Sequence, residues 1–420
     1  MALQLSNFGY ELKSADHYQD IKFILHNHLI TEIEQDRIEL FDMSRLQIAA
    51  YVNGKVRDYV VTKGLVVSAY DLEMLAEEMI DELAGYGPLE SLIRDDNIND
   101  ILVNGARHIY VERFGKLERS QLRFIDDEHV LRVIRRILAP LGRRIDEASP
   151  TVDARLPDGS RLNAIIPPLA LNGPCMSIRK FRKDPITSDD LISFGSMDRN
   201  IRDFLEEASR RRVNVIISGG TGAGKTTLLN MLSRAIPEDE RIVTIEDAAE
   251  LKLDHDHVVR LETRPANTEG QGEITAHELV RNALRMRPDR IILGEVRSKE
   301  VMDMLQAMNT GHDGCMSTVH ANSPTDALLR IEMLAGLAGF QGAEVTLRKM
   351  IAAAIEVVIQ ISRLPNGKRK ITSIAEIVGL RDDRFVINEL YGYDAEADRF
   401  ISYPVTPSKA KLHGMVRAIS

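Results

Sequence analysis

The sequence predicts a mixed α/β chain in three parts: an N-terminal helical bundle, an α+β domain and a mainly parallel α/β domain. Three observations predict this. Apolar residues recur at helical spacing in 21–29 and 72–83. Residues 101–111 and 152–166 read as extended runs folded about turn residues. From 197 onward helix-like and strand-like runs alternate around a glycine-rich loop at 219–226. We place the bundle at 1–85, the α+β domain at 86–183, a linker at 184–196 and the α/β domain at 197–420.

In the bundle, Ile21, Ile24, Leu25 and Leu29 share one helix face. Leu72, Leu75, Ala76, Met79, Ile80 and Leu83 share another, with Asp and Glu opposite. Gly85-Tyr86-Gly87-Pro88 ends the helical stretch. Beyond it, Ile101-Leu102-Val103 and Ile109-Tyr110-Val111 flank a turn at Asn104-Gly105, and Val130, Val133, Ile134, Ile137 and Leu138 mark an amphipathic helix. A hairpin at 152–166 turns at Pro157-Asp158-Gly159. With a three-residue loop at 158–160, Leu156 faces Leu162 on the buried side, while Arg155 and Arg161 share the other face. Such a pair could contact an anion, although alternation alone favours a solvated strand face. Residues 184–196 run from proline to glycine through polar side chains, as a linker does.

The loop reads Gly219-Gly220-Thr221-Gly222-Ala223-Gly224-Lys225-Thr226, followed by Thr227, between an apolar run at 213–217 and a helix-forming run at 228–235. That context marks a phosphate-binding loop, in which glycines let backbone N–H groups curl around the anion. Lys225 neutralises the β/γ oxygens, and the Thr226 hydroxyl is placed for Mg²⁺. The following helix points its positive end at the phosphates. Two further strands end in acid: 242–245 runs into Glu246 and Asp247 with Glu250 close behind, and 291–293 runs into Gly294-Glu295. In a parallel sheet these ends open on the same edge as the loop, where they can orient Mg²⁺ or water. His312 and His320 follow, and an imidazole there could sense the terminal phosphate. His255-Asp256-His257 offers too few ligands for a metal site. Of Arg281, Arg285, Arg287 and Arg290, some should pair with local acids and others could serve a subunit boundary.

Bulk composition sets the limits. A chain of 420 residues accommodates two or three domains, and 44% hydrophobic with 28% charged residues is an ordinary soluble mixture. A net charge of −9 argues against a constitutive nucleic-acid binder. Cys175 and Cys315 read as incidental or buried thiols in a reducing compartment. Glu11, Asp16 and Asp20 speak against a signal peptide, and the best apolar run, 351–361, is too short to span and is broken by Glu356.

Several motifs in order give the chain a family resemblance. They are Gly85-Tyr86-Gly87-Pro88-Leu89-Glu90, Asp153-Ala154-Arg155-Leu156-Pro157-Asp158-Gly159-Ser160-Arg161, Ile178-Arg179-Lys180-Phe181, the phosphate loop, and Thr244-Ile245-Glu246-Asp247. Leu284-Arg285-Met286-Arg287-Pro288-Asp289-Arg290, Gly294-Glu295-Val296-Arg297, Ala307-Met308-Asn309-Thr310-Gly311-His312 and Ser317-Thr318-Val319-His320-Ala321-Asn322 complete the set. The chain resembles the type II/type IV secretion ATPases, specifically the CpaF-like branch of Tad/Flp pilus assembly. It departs at Arg297-Ser298-Lys299-Glu300, where the family usually has Arg-Gly-Gly-Glu.

The resemblance implies a RecA-like ATPase domain preceded by a PAS-like N-terminal domain, with ATP and Mg²⁺ bound. It implies a homo-hexamer in the cytoplasm, peripheral to the inner membrane through platform proteins, and the acidic balance adds the expectation of no nucleic-acid partner. Site residues carry over as Walker A at 219–226, an acidic box at Glu246, Asp247 and Glu250, a Walker B glutamate at Glu295 and a histidine box at His320. Glu250 is the better match to the catalytic carboxylate. Arg161 and Arg179, with Arg155 beside them, match arginines that reach the γ-phosphate, which turns the hairpin reading toward anion contact. The expected mechanism is hydrolysis driving domain closure, with 184–196 as hinge. The alternatives are a DNA- or effector-exporting secretion ATPase, a RecA-type DNA translocase and a non-motor ATP-binding regulator.

Overall fold

The computed structural model describes residues 15–36, 43–65, 67–113, 115–181, 186–264 and 271–416, with Ile38 and Ala266. They fall into two compact units, 1–182 and 183–420. Residues 1–14 of the helical stretch, with Glu11, and Lys183, Asp184 and Pro185 before and within the linker stretch lie outside the described residues.

The first unit opens with α1 (Ala15–Gln35), α2 (Arg45–Lys63) and α3 (Ala69–Ala84). Ser44 and Gln47 form a capping box that starts α2, and Gly64 ends it in the left-handed conformation at φ +59°. On α1 the buried seam is Ile21, Leu25, Leu29 and Ile33. Ile24, expected on that face, is 44% exposed. A row of i, i+4, i+8 satisfies the seam, and each neighbouring position is rotated about 100° away from it. The 72–83 face packs as its spacing predicts, but α3 departs from a simple acid-outward helix because Asp81 and Glu82 are buried too. Glu82 meets His129 at 2.9 Å and Lys22 at 3.4 Å. Burial pushes the Glu82 carboxyl upward, but the His129 bond and the Lys22 ammonium outweigh it and hold it below its ordinary value.

Next come α4 (Leu89–Arg94), β1 (Ile98–Asn104), β2 (Ile109–Arg113), β3 (Lys116–Arg119), α5 (Asp127–Leu138), β4 (Thr151–Arg155), β5 (Arg161–Ile165) and β6 (Cys175–Arg179). The strands form one antiparallel sheet in the order β3-β2-β1-β6-β5-β4. All five apolar residues expected on the α5 face are buried, packed with Leu162, Ala164 and Ile178 of the sheet. Arg136 of α5 donates to the carbonyls of Glu82 and Gly85, both at 2.8 Å, joining helix bundle and sheet domain.

The 152–166 hairpin differs from the expected register. Leu156 N–H donates to Ser160 O at 2.8 Å, so the tight loop is 157–159 rather than 158–160. Arg155 therefore stands directly opposite Arg161. Leu156 and Leu162 stay on the buried face, since moving the loop by one residue shifts pairing by two and preserves strand parity.

The second unit contains α6 (Ser188–Ser193), α7 (Arg199–Arg210), β7 (Val215–Ser218), α8 (Lys225–Ser233), β8 (Ile242–Glu246), β9 (Val258–Glu262), α9 (Ala276–Ala283) and β10 (Arg290–Leu293). It continues with α10 (Glu300–Asn309), β11 (Met316–Val319), α11 (Pro324–Leu337), α12 (Glu344–Ala354), β12 (Val357–Arg363), β13 (Arg369–Arg381), β14 (Arg384–Asp394) and β15 (Arg399–Ser402). Within the stretch read as a linker, α6 inserts Leu191 into the core of this unit. The sheet runs β15-β14-β13-β12-β7-β11-β10-β8-β9, parallel from β12 to β9 and antiparallel beyond β12. β7, β8, β10 and β11 are buried throughout, as strands covered on both faces must be. Alternation separates two cores: Val215 and Ile217 pack with α7 and α8, while Ile216 and Val358 pack with α9 to α12.

At the starting ends of these strands, Arg290 is fully buried against Glu240, with Nε–Oε2 at 2.5 Å and Nη2–Oε1 at 3.1 Å. Gly314 leaves room for it, since a Cβ there would lie 2.8 Å from Arg290 Nη1. Of the four arginines read before β10, this one is an internal ion pair, and Arg281, Arg285 and Arg287 are exposed.

Candidate functional site

β7 delivers the chain into the glycine-rich loop, and α8 begins at Lys225. Gly222 and Gly224 lie at φ +68° and +103°, where a side chain would be strained. A Cβ on Gly219 would sit 2.4 Å from Ile361 O, so the loop start admits glycine only. Lys225 is buried; its Nζ donates to Gly219 O at 2.9 Å and Gly220 O at 3.0 Å and lies 3.3 and 3.4 Å from the His320 ring nitrogens. Thr226 and Thr227 occupy the first turn of α8, and Thr221 is exposed at the loop tip.

The acid-ended strands converge on this point. His320 Nε2 lies 3.2 Å from Glu295 Oε1. Burial and the Lys225 ammonium hold His320 below its ordinary value, so its ring is neutral near neutral pH. The tautomer that serves Glu295 carries its proton on Nε2, while Lys225 Nζ stands nearly equidistant from both ring nitrogens. Glu295 Oε2 accepts from Arg297 Nη2 at 2.7 Å, and Arg297 Nη1 lies 3.4 Å from Asp247 Oδ2. The Glu295 bond, then the fields of Asp247 and Glu250, raise the Arg297 guanidinium further. An unbroken run of polar contacts thus leads from Lys225 through His320, Glu295 and Arg297 to Asp247.

Glu246 is buried, and its Oε2 accepts from the backbone N–H groups of Glu250 at 2.7 Å and Leu251 at 2.8 Å. Among the described residues its Oε1 has no hydrogen-bond partner, and burial raises its pKa. One oxygen therefore shapes the loop that carries Glu250, while the other is buried without a partner among the described residues. Gly294 is explained by the same side chain, since a Cβ there would lie 3.0 Å from Glu246 Cγ. At the departure from Arg-Gly-Gly-Glu, Glu300 Oε1 accepts from the N–H groups of Arg297 at 2.6 Å and Ser298 at 2.7 Å, which fixes the turn into α10 without glycine.

Arg155, Arg161 and Arg179 belong to the first unit. There Arg155 pairs with Arg161 across β4 and β5, Arg161 with Arg179 across β5 and β6, and Arg179 with Asp100 across β6 and β1. Three guanidinium groups thus stand in one cross-strand row, an arrangement that like charges disfavour. Of the histidines read as weaker candidates, His312 accepts at its backbone carbonyl from the Cys315 thiol at 3.0 Å, His255 contacts Pro237 O at 3.0 Å and His257 contacts Arg241 at 2.7 Å.

The donors present, a threonine hydroxyl on the loop helix and carboxylates at neighbouring strand ends, are hard oxygen ligands. Magnesium takes one or two of these and completes its shell with phosphate and water. The sequence reading did not single out Arg297 as a site residue, although its place two residues after Glu295 at a strand end was a usable signal. It also missed Arg369, whose Nε donates to Gly222 O at 2.9 Å.

A phosphate loop joined by polar contacts to two acid-ended parallel strands defines a nucleoside triphosphate hydrolase. The chain belongs to the type II/IV secretion system protein family, which it matches over residues 82–391, and its activity is ATP hydrolysis. It is 43% identical over 358 residues to a Mycobacterium tuberculosis protein named "Putative conjugal transfer protein", covering 83% of this chain and 98% of that one. It is 30% identical over 295 residues to the conjugal transfer protein TrbB of Rhizobium radiobacter, covering 69% and 87% of the two chains. The solved structure of the ATPase DotB from Yersinia pseudotuberculosis shares the fold, with a TM-score of 0.51 at 17% identity over 69% of this chain and 77% of that one. No helix among the described residues is long and apolar enough to cross a membrane.

Proposed function

We propose that the chain is the subunit of a hexameric motor that hydrolyses ATP to power assembly or retraction of a Tad/Flp-type pilus at the inner membrane. The observation that carries the motor reading is the run of polar contacts from Lys225 to Asp247, which gives the phosphate loop direct access to both acidic strand ends. Lys225 and the loop amides, with Gly219, Gly220, Gly222, Ala223 and Gly224, hold the phosphates. Thr226 and Glu295 are the residues that would hold Mg²⁺, whose chemistry is to neutralise charge on the β/γ oxygens. Glu250 positions or deprotonates the attacking water, with Glu246 fixing the loop that presents it, and His320 reports the state of the terminal phosphate to Glu295. Arg161 and Arg179, with Arg155, stabilise charge on the transferring phosphoryl group. We read the antiparallel sheet of the first unit as PAS-like.

Export of DNA or effectors is the second reading, favoured by the conjugal-transfer names of two relatives. One experiment separates the two. A deletion strain is complemented with wild type or Lys225→Ala, and surface pili and conjugation frequency are both measured. Loss of pili alone with Lys225→Ala supports the first reading, loss of transfer alone the second, and full complementation by Lys225→Ala overturns both.

A further inference from the structure

The antiparallel extension beside the phosphate loop carries two arginines that the mechanism above does not use. β12 runs parallel to β7, with Gln360 opposite Ser218, and continues past the point where β7 gives way to the loop. Its next residue forms the floor of the loop: Ile361 O blocks a Cβ at Gly219, and Ile361 Cδ1 would lie 3.4 Å from one at Gly224. The chain then turns tightly, with Leu364 N–H donating to Lys368 O at 2.8 Å and Gly367 N–H to Leu364 O at 2.9 Å. It returns as β13 with Arg369 directly opposite Arg363.

Both side chains are at the loop. Arg369 is partly buried, donates from Nε to Gly222 O at 2.9 Å, and has its Cδ 3.5 Å from the Cβ position of Gly224. Arg363 Nη1 lies 3.9 Å from the Cβ position of Gly222. Gly222 and Gly224 are the loop glycines held at positive φ, and glycine itself supplies little conformational preference to keep them there. A peptide that flips at Gly222 would turn a carbonyl oxygen toward the phosphates, where it repels the anion. A charged donor on Gly222 O holds that oxygen on the hairpin side and adds positive potential next to the cradle.

We propose that Arg369, with Arg363 beside it, is a positioning residue for nucleotide binding: the β12–β13 hairpin fixes the phosphate loop in its anion-accepting form and sets the affinity for ATP and ADP. This rests on the ATPase reading of the loop. It adds that affinity is set from the antiparallel extension, outside the residues that contact the phosphates.

The test uses the full chain. Wild type, Arg369→Ala, Arg369→Gln and Lys225→Ala are compared by steady-state ATPase kinetics, titration with a fluorescent ADP analogue and nucleotide-free thermal melting. Loss of a charge-assisted hydrogen bond corresponds to about a tenfold or greater effect on affinity. Both Arg369 variants should therefore show KM for ATP and Kd for the analogue raised about tenfold or more, with kcat at saturating ATP within about twofold and a nucleotide-free melting transition that stays cooperative and falls by only a few degrees. Arg369→Gln keeps most of the packing, so it decides the matter where Arg369→Ala is poorly folded. Unchanged KM and Kd, or a fall in kcat alone, would overturn the proposal. An inactive wild type, or an active Lys225→Ala, would instead overturn the ATPase assignment of the loop, whatever Arg369 does.

Discussion

Glu240→Gln should cost the protein much of its stability while leaving ATP turnover at saturating substrate intact. The carboxylate accepts from Arg290 at 2.5 and 3.1 Å and from Arg212 at 3.2 Å, and Arg290 is fully buried. Arg290 Nη1 already has no partner among the described residues, so the glutamine would leave a buried guanidinium with no neutralising charge on this side chain. Breaking a buried pair from one side costs about 3–5 kcal/mol, and the hydrogen bond that glutamine retains places this case near 3. At about 2–4 °C per kcal/mol for a domain of this size, the melting temperature should fall by roughly 6–12 °C. The pair lies at the starting ends of the parallel strands, and the phosphate loop follows their other ends, so KM for ATP should not move. Acidity gives a second reading. Burial pushes the Glu240 carboxyl upward, but Arg290 and Arg212 hold it below 4.5, its ordinary value. Its stabilisation is therefore present above pH 4.5 and is lost as pH falls through the lowered folded value, and the gap between wild type and variant closes there. Glu240→Leu with Arg290→Met should recover most of the loss. Thermal and urea melts of the three proteins decide it, and a Glu240→Gln midpoint within the error of wild type refutes the reasoning.

The remaining predictions concern the site and the first unit. Glu295→Gln should retain nucleotide and slow turnover by about 10²-fold or more, and fast release of ADP in a single-turnover assay would contradict its role. Arg161→Ala with Arg179→Ala should lose a comparable factor in kcat while binding the ADP analogue normally; unchanged rates would return the row to a solvated strand face. Leu25→Ala should cost about 2–5 kcal/mol in denaturant melts, whereas Ile24→Ala should cost less than about 0.5, and equal losses would overturn the seam. Burial holds His26 below 6.5, so the unfolded chain takes up this proton first as pH falls and stability drops just below that value. His26→Gln should flatten that part of the melting-temperature profile between pH 7 and 5.5, and an unaltered profile would count against it.

Features encoded by neighbouring residues were legible in the sequence, and those made by distant pairing were not. The phosphate loop and the acid-ended strands each need only a few contiguous residues, because glycine conformation and strand ends are local properties. The Arg155–Arg161 face followed from alternation, but direct opposition needed the loop closure at 157–159, and the third member, Arg179, joins through β6. Ile24 misled because a single helix does not reveal how wide a stripe its partners cover. Glu82 looked like an exposed acid because His129 and Lys22 reach it from α5 and α1. Arg369 lies 147 residues from Gly222 and had no local signal at all. The antiparallel edge of the large sheet was missed for a related reason: its strands extend a parallel sheet by pairing that no βαβ alternation announces.

The ammonium at the start of α8 has a consequence for throughput. It donates to two carbonyls of its own loop and lies against the His320 imidazole, so an anion that binds it must exchange partners already in place. Departure of product lets the same three groups reclaim it. Part of the gross attraction is thereby cancelled in both directions, which lowers the grip on spent nucleotide and suits an ATPase that must empty its site as readily as it fills it.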